Sequence, residues 1–195
     1  MKIVLTGFMG AGKSATGKIL ARKLNFEFID ADSIIEERAG QSIKEIFSLQ
    51  GESFFRSLEK TVVAEVARKD GVVIAVGGGA IVDSANRRNL KKNGIIIFLM
   101  VSPDEIRKRV AGDDSRPLLN TPKNVGAPFM APAGSMNRTP TKKELIKNLL
   151  SQRLFFYRKA DVCVDTTGKT LREVAEEIMK LLQNCRGRIH PTRLS

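Results

Sequence analysis

Eight residues near the start of the chain, Gly7-Phe8-Met9-Gly10-Ala11-Gly12-Lys13-Ser14, leave little choice of fold. Their spacing, G-x-x-x-x-G-K-[ST], falls between an apolar run, Lys2-Ile3-Val4-Leu5-Thr6, and a segment carrying Ile19, Leu20 and Leu24 at helical intervals. Strand, glycine loop and helix therefore follow one another directly. Glycines let backbone N–H groups turn inward around an anion, and the helix start adds its positive dipole. Such a P-loop cradles nucleotide phosphates, so Gly10, Ala11, Gly12, Lys13, Ser14 and Ala15 are the candidate ATP-binding residues. Lys13 is expected to reach the β- and γ-phosphates, and the Ser14 hydroxyl to ligate Mg²⁺. The competing reading, a glycine-rich turn with a solvated lysine, does not account for the strand and helix on either side.

The rest of the chain repeats the alternation. Phe26-Glu27-Phe28-Ile29 reads as a short strand ending in Asp30-Ala31-Asp32, and Val72-Val73-Ile74-Ala75-Val76 as a buried one running into Gly77-Gly78-Gly79. Residues 95–100 and Val162-Cys163-Val164 complete a set of five. Leu58, Val62 and Val66 share a helical face between the second and third strands, and Ser42-Ile43-Lys44-Glu45 has capping-box spacing. Ser102-Pro103-Asp104-Glu105, Thr141-Lys142-Lys143-Glu144 and Thr170-Leu171-Arg172-Glu173 carry the same helix-start signature. Continuously apolar strands alternating with helices predict an α/β fold, a parallel five-stranded sheet covered on both faces. The stretch before Thr141 breaks the pattern: Pro122, Pro128, Pro132 and Pro140 with Gly126 and Gly134 exclude a helix interior or central strand. A lid carrying a long insertion, about residues 112–140, is expected there, with disorder as the competing reading. The chain is thus divided into one domain, residues 1–183, and a basic tail, residues 184–195.

Composition narrows the chemistry. A formal net charge of +12 suits anionic ligands, and also nucleic acid or an anionic membrane. The basic residues are scattered along helices such as Asn86-Arg87-Arg88-Asn89-Leu90-Lys91-Lys92, which favours solvated faces over a nucleic-acid stripe. Two cysteines, Cys163 and Cys185, and one histidine, His190, suggest neither a disulfide framework nor zinc or histidine catalysis. With no apolar run of membrane-spanning length and a strand at the outset in place of a leader peptide, a cytoplasmic monomer is expected.

In an open parallel sheet ligands bind at the carboxyl ends of the strands, so the segments after the first three strands should converge on one cleft. Phosphoryl transfer requires a phosphate cradle, a carboxylate near Mg²⁺, another on the acceptor hydroxyl, and cations for the moving charge. Alternation along extended backbone assigns Asp30 to the water shell of Mg²⁺ and Asp32 to the acceptor, although the two could also simply cap a helix. Gly77, Gly78 and Gly79 suggest close backbone approach by a ligand, or a flexible turn. Arg56, with apolar neighbours on a helix, could fork a carboxylate, but Arg56, Arg116 and Arg153 each read in isolation as surface arginines.

Taken together these residues resemble the shikimate kinase family. The P-loop, Asp30-Ala31-Asp32 with Ile35-Glu36, Gly51-Glu52 with Phe55-Arg56, Gly77-Gly78-Gly79-Ala80, Arg116-Pro117-Leu118-Leu119, and Arg153 with Tyr157 and Ala160 occur in the family's order. The resemblance implies a kinase that phosphorylates the 3-hydroxyl of shikimate with ATP, for chorismate and aromatic amino acid synthesis. By it Asp32, Arg56, Gly78 and Arg153 hold shikimate, with Gly77 and Gly79 beside them, the arginines clamping its carboxylate. Lys13, Asp32 and Arg116 are then the catalytic set, Arg116 acting on the ATP phosphates from the lid. Arg107 and Asp165-Thr166-Thr167-Gly168-Lys169 are candidates to meet the adenine. The chain departs from the family at Ala15, where threonine is usual, after Arg153, where a proline is missing, and in the length of the lid. A related P-loop kinase of gluconate type, or an inactive nucleotide-binding regulator, remains an alternative.

Overall fold

The computed structural model describes residues 1–109 and 142–186; the expected lid with Arg116, and residues 187–195 of the expected tail, lie outside the described residues. Five strands, β1 (Lys2–Gly7), β2 (Glu27–Asp30), β3 (Val72–Ala75), β4 (Gly94–Met100) and β5 (Val162–Asp165), form one parallel sheet in the order β2-β3-β1-β4-β5. All six residues of β1 are buried, as the centre of a sheet covered on both sides requires. Successive side chains go to opposite faces. Ile3 and Leu5 join Val73, Ile97 and Leu99 in one core, while Val4 joins Ile74, Ile96 and Phe98 in the other. Each such side chain, fully buried, contributes about 1.5–3 kcal/mol.

The first core is covered by α1 (Lys13–Leu24), α6 (Pro103–Arg109), α7 (Lys142–Tyr157) and α8 (Leu171–Arg186), supplying among others Leu20, Ile106, Ile146 and Ile178. The second is covered by α2 (Ala31–Ala39), α3 (Ile43–Leu49), α4 (Gly51–Val66) and α5 (Ser84–Lys91). Helix starts follow the cap signatures. Ser42 Oγ accepts from Glu45 N at 3.3 Å while Glu45 Oε2 accepts from Ser42 N at 2.7 Å, and Thr170 with Glu173 repeats the pair. One boundary differs from the sequence expectation: α8 runs to Arg186, into the stretch read as tail.

Strands β1 and β3 are neighbours, yet the chain leaves β1 for the face of the first core and leaves β3 for the face of the second. Chain segments diverging from adjacent strands open a crevice at their carboxyl ends. The P-loop and Gly77-Gly78-Gly79 form its two sides.

Candidate active site

On the β1 side, Gly12 caps α1 in a left-handed conformation, φ 83°, that only glycine adopts readily, and it brings no side chain to the helix start. The first turn of α1 contains no acidic residue, which suits an anion at its N-terminus. Lys13 Nζ donates to the Gly7 and Phe8 carbonyls at 3.1 Å each, which folds the ammonium back along the loop.

The two aspartates face different neighbours. Asp30 ends β2 and caps α2: its Oδ1 accepts from Asp32 N at 3.1 Å, and its Oδ2 accepts from the Ser14 hydroxyl at 2.6 Å. Asp32 lies in the first turn of α2 rather than on extended backbone, and the helical rotation carries it away from Ser14 into the neighbouring cleft. Capping and P-loop contact are thus performed by one residue, Asp30.

That cleft collects Lys13, Asp32, Arg56, Gly77, Gly78, Gly79 and Arg153, with Met9, Ile43, Phe47 and Phe55 as its apolar wall. Arg56 is not a solvated surface residue. Its Nη1 donates to Glu59 Oε2 at 2.7 Å, and its Nε and Nη2 both donate to Glu52 Oε1, at 3.2 and 3.0 Å. Burial works against the guanidinium charge, but Glu59 and then Glu52 outweigh it and hold Arg56 firmly protonated. Glu59 is itself 2% exposed; burial pushes its carboxyl above the usual range, Asp32 adds to the rise, and Arg56 and Arg153 oppose it.

The three glycines are crowded by the protein itself. A Cβ on Gly79 would sit 2.5–2.7 Å from the Arg56 guanidinium, and one on Gly78 would sit 2.7 Å from the Gly7 carbonyl oxygen and 2.8 Å from Tyr157 Oη. At Gly77 it would meet Asp32 Oδ1 at 3.1 Å and Glu59 Oε1 at 3.2 Å. Close approach, inferred from the sequence for a ligand, is therefore already required to assemble the wall. Tyr157, fully buried and stacked on Phe98 at 4.4 Å, donates to the Gly78 carbonyl at 3.0 Å. Burial raises its phenol, while Arg153, one turn earlier on α7, works the other way.

Glu59 went unread in the sequence, although a carboxylate three residues after an arginine and on the Phe55, Val62 and Val66 face of α4 was the available signal. Arg109 is the other omission. Arg107 and Arg109 are both exposed on α6, and Arg109 donates to the Gly10 and Thr166 carbonyls at 3.2 Å each, tying the P-loop to the loop after β5. Within α6 Arg109 also pairs with Glu105 four residues earlier, at 2.9 Å.

The donor set suits Mg²⁺. Ser14 Oγ and Asp30 Oδ2 are hard oxygen donors within hydrogen-bond reach of each other beside the P-loop. Among the described residues no group of three or more His, Cys, Asp or Glu could hold a metal ion.

Comparison with known proteins agrees with this geometry. The family model for shikimate kinase matches residues 9–183. Shikimate kinase of Caldanaerobacter subterraneus subsp. tengcongensis is 41% identical over 186 residues, covering 95% of this chain and 98% of its own. That of Thermodesulfovibrio yellowstonii is 42% identical over 178 residues, covering 91% and 92%. Among solved structures, Acinetobacter baumannii shikimate kinase in complex with shikimate has a TM-score of 0.82 at 33% identity over 94% of this chain and 93% of its own. A gluconokinase from Sinorhizobium meliloti, at 17% identity and a TM-score of 0.56 over 97% of both chains, shares the fold alone. With the P-loop, the aspartate pair, the two arginines and the glycine wall gathered at one crevice, and relatives matched along almost their full length, the chain belongs to the shikimate kinase family.

Proposed function

We infer that the chain transfers the γ-phosphoryl group of ATP to the 3-hydroxyl of shikimate, giving shikimate 3-phosphate and ADP, a step toward chorismate and the aromatic amino acids. The supporting observation is the cleft beside the P-loop that holds Lys13, Asp32, Arg56 and Arg153 together. Two guanidinium groups on one side suit an acceptor bearing a carboxylate, and the apolar wall of Ile43, Phe47 and Phe55 suits a carbon ring. Lys13 serves the transferring phosphoryl group, turning from the loop carbonyls to phosphate oxygens. Ser14, and Asp30 through water, would hold Mg²⁺, which when bound neutralises charge on the phosphates. Asp32 accepts the proton of the acceptor hydroxyl as its oxygen takes the phosphoryl group.

The enzyme is read as a monomer working in the cytoplasm. Among the described residues no helix is long and apolar enough to cross a membrane. The test of the activity is ADP release with shikimate, gluconate and nucleoside monophosphates in parallel. Shikimate alone should stimulate it strongly; stimulation by gluconate instead, or by none of them, contradicts the reading.

A further inference from the structure

Arg56 is held from several sides. Nε and one N–H of Nη2 are taken by a single oxygen of Glu52, and one N–H of Nη1 by Glu59. One N–H is then left on each terminal nitrogen, enough for two further bonds to a carboxylate. Glu59 alone would leave the guanidinium free to swing about one hydrogen bond. Glu52, on the opposite edge and one turn earlier on α4, removes that freedom, and Gly79 lies against the group with no room for a Cβ. Glu52 does not line the acceptor cleft; it faces the adjoining cavity behind Arg56, with Asp83, Asn86 and Gln152.

We propose that Glu52 is a positioning residue that orients the free fork of Arg56 toward the acceptor's carboxylate and so sets the enzyme's preference for a carboxylate-bearing acceptor. This rests on the reading of the cleft as the shikimate site. Because Glu52 acts through Arg56, its removal should be felt only by ligands that carry the carboxylate.

The experiment compares the full-length wild type with Glu52→Ala and Glu52→Gln, using shikimate and its uncharged methyl ester. Binding is measured by calorimetry, and KM and kcat by ADP release. Glu52 side-chain exposure of 24% in the first turn of α4 makes both variants compatible with the fold. For Glu52→Ala the shikimate KM should rise roughly tenfold, with the KM for ATP and the affinity for the ester unchanged. Glu52→Gln should stay within about threefold of wild type, because an amide oxygen accepts the same two N–H groups. The proposal is overturned if Glu52→Ala weakens ester and shikimate equally, leaves shikimate unaffected, or tightens it, the last showing that Glu52 competes with the substrate. It is overturned too if Glu52→Gln falls as far as Glu52→Ala. A wild type that does not use shikimate refutes the functional reading itself, independently of either variant.

Discussion

Replacing Gly79 by alanine adds one methyl group to the site, and its consequence can be worked through. The backbone there, φ −86° and ψ −23°, is right-handed and open to any residue, so the substitution strains nothing locally. The new Cβ would lie 2.5 Å from Nη1 and 2.6 Å from Nη2 of Arg56. Normal contact requires about 3.5 Å, so the guanidinium must retreat by roughly 1 Å. Its 2.7 Å hydrogen bond to Glu59 then stretches out of range, and its fork is turned from the orientation proposed for gripping the acceptor. Loss of a charge-assisted hydrogen bond of about 1.5–3 kcal/mol corresponds to a shikimate KM raised roughly ten- to a hundredfold. The fold bears the loss of the same Arg56–Glu59 bond, offset in part by the roughly 0.4–1 kcal/mol through which Gly→Ala restricts the unfolded chain, so a net destabilisation of about 1–2 kcal/mol is expected. Steady-state ADP release against shikimate and against ATP, with a melting curve, measures all three quantities. A shikimate KM within twofold of wild type would refute the reasoning. So would an equal rise in the KM for ATP. In an Arg56→Ala background the effect of Gly79→Ala should vanish, since nothing remains for the methyl to displace.

Other outcomes follow from the same geometry. Lys13→Ala should lower kcat by roughly a thousandfold or more without changing the circular dichroism spectrum, since Lys13 Nζ donates to the Gly7 and Phe8 carbonyls of the P-loop and joins neither core cluster. Burial raises the Glu59 carboxyl above 4.5, so the folded state holds that proton more tightly than the unfolded chain, and stability falls as pH rises from 4.5 through the folded value. Glu59→Gln should remove this slope, gaining on wild type across the window in urea unfolding while weakening shikimate binding; a wild type that gains on the variant as pH rises would contradict the assignment. Asp83 has the opposite sign. It caps α5 by accepting from Ala85 N and Asn86 N, and those bonds, that of Asn86 foremost, hold it below 3.8. Asp83→Ala should therefore cost about 1 kcal/mol at neutral pH, with the gap closing as pH falls through the folded-state value of wild type; a gap independent of pH would show that the cap is not the cause.

What could be read along the chain is what neighbouring residues decide. The P-loop, the apolar strands and the Ser42 and Thr170 capping boxes each depend on residues a few positions apart, and each stands where the local pattern put it. Arg56 with Glu52 and Glu59 was also within reach, as pairs four and three apart on one helix. The link from Arg109 to the P-loop was not, because, beyond its local pair with Glu105, the carbonyls it reaches, of Gly10 and Thr166, are 99 and 57 residues away.

The sequence by itself determined a phosphate cradle on a parallel sheet, the helix ends, and a set of residues matching the shikimate kinase family. Only the tertiary structure decided which of them touch. Strand order sets β3 between β1 and β2, and so brings Gly78 against Gly7 and Tyr157, Gly77 against Asp32, and Gly79 against Arg56. It also decided that Asp30 turns to Ser14 as a helix cap while Asp32 lines the cleft beside the P-loop. The physical reason is range. Propensities and caps act over a turn of helix, whereas a contact across the crevice exists only after the sheet and both helical layers have closed around it.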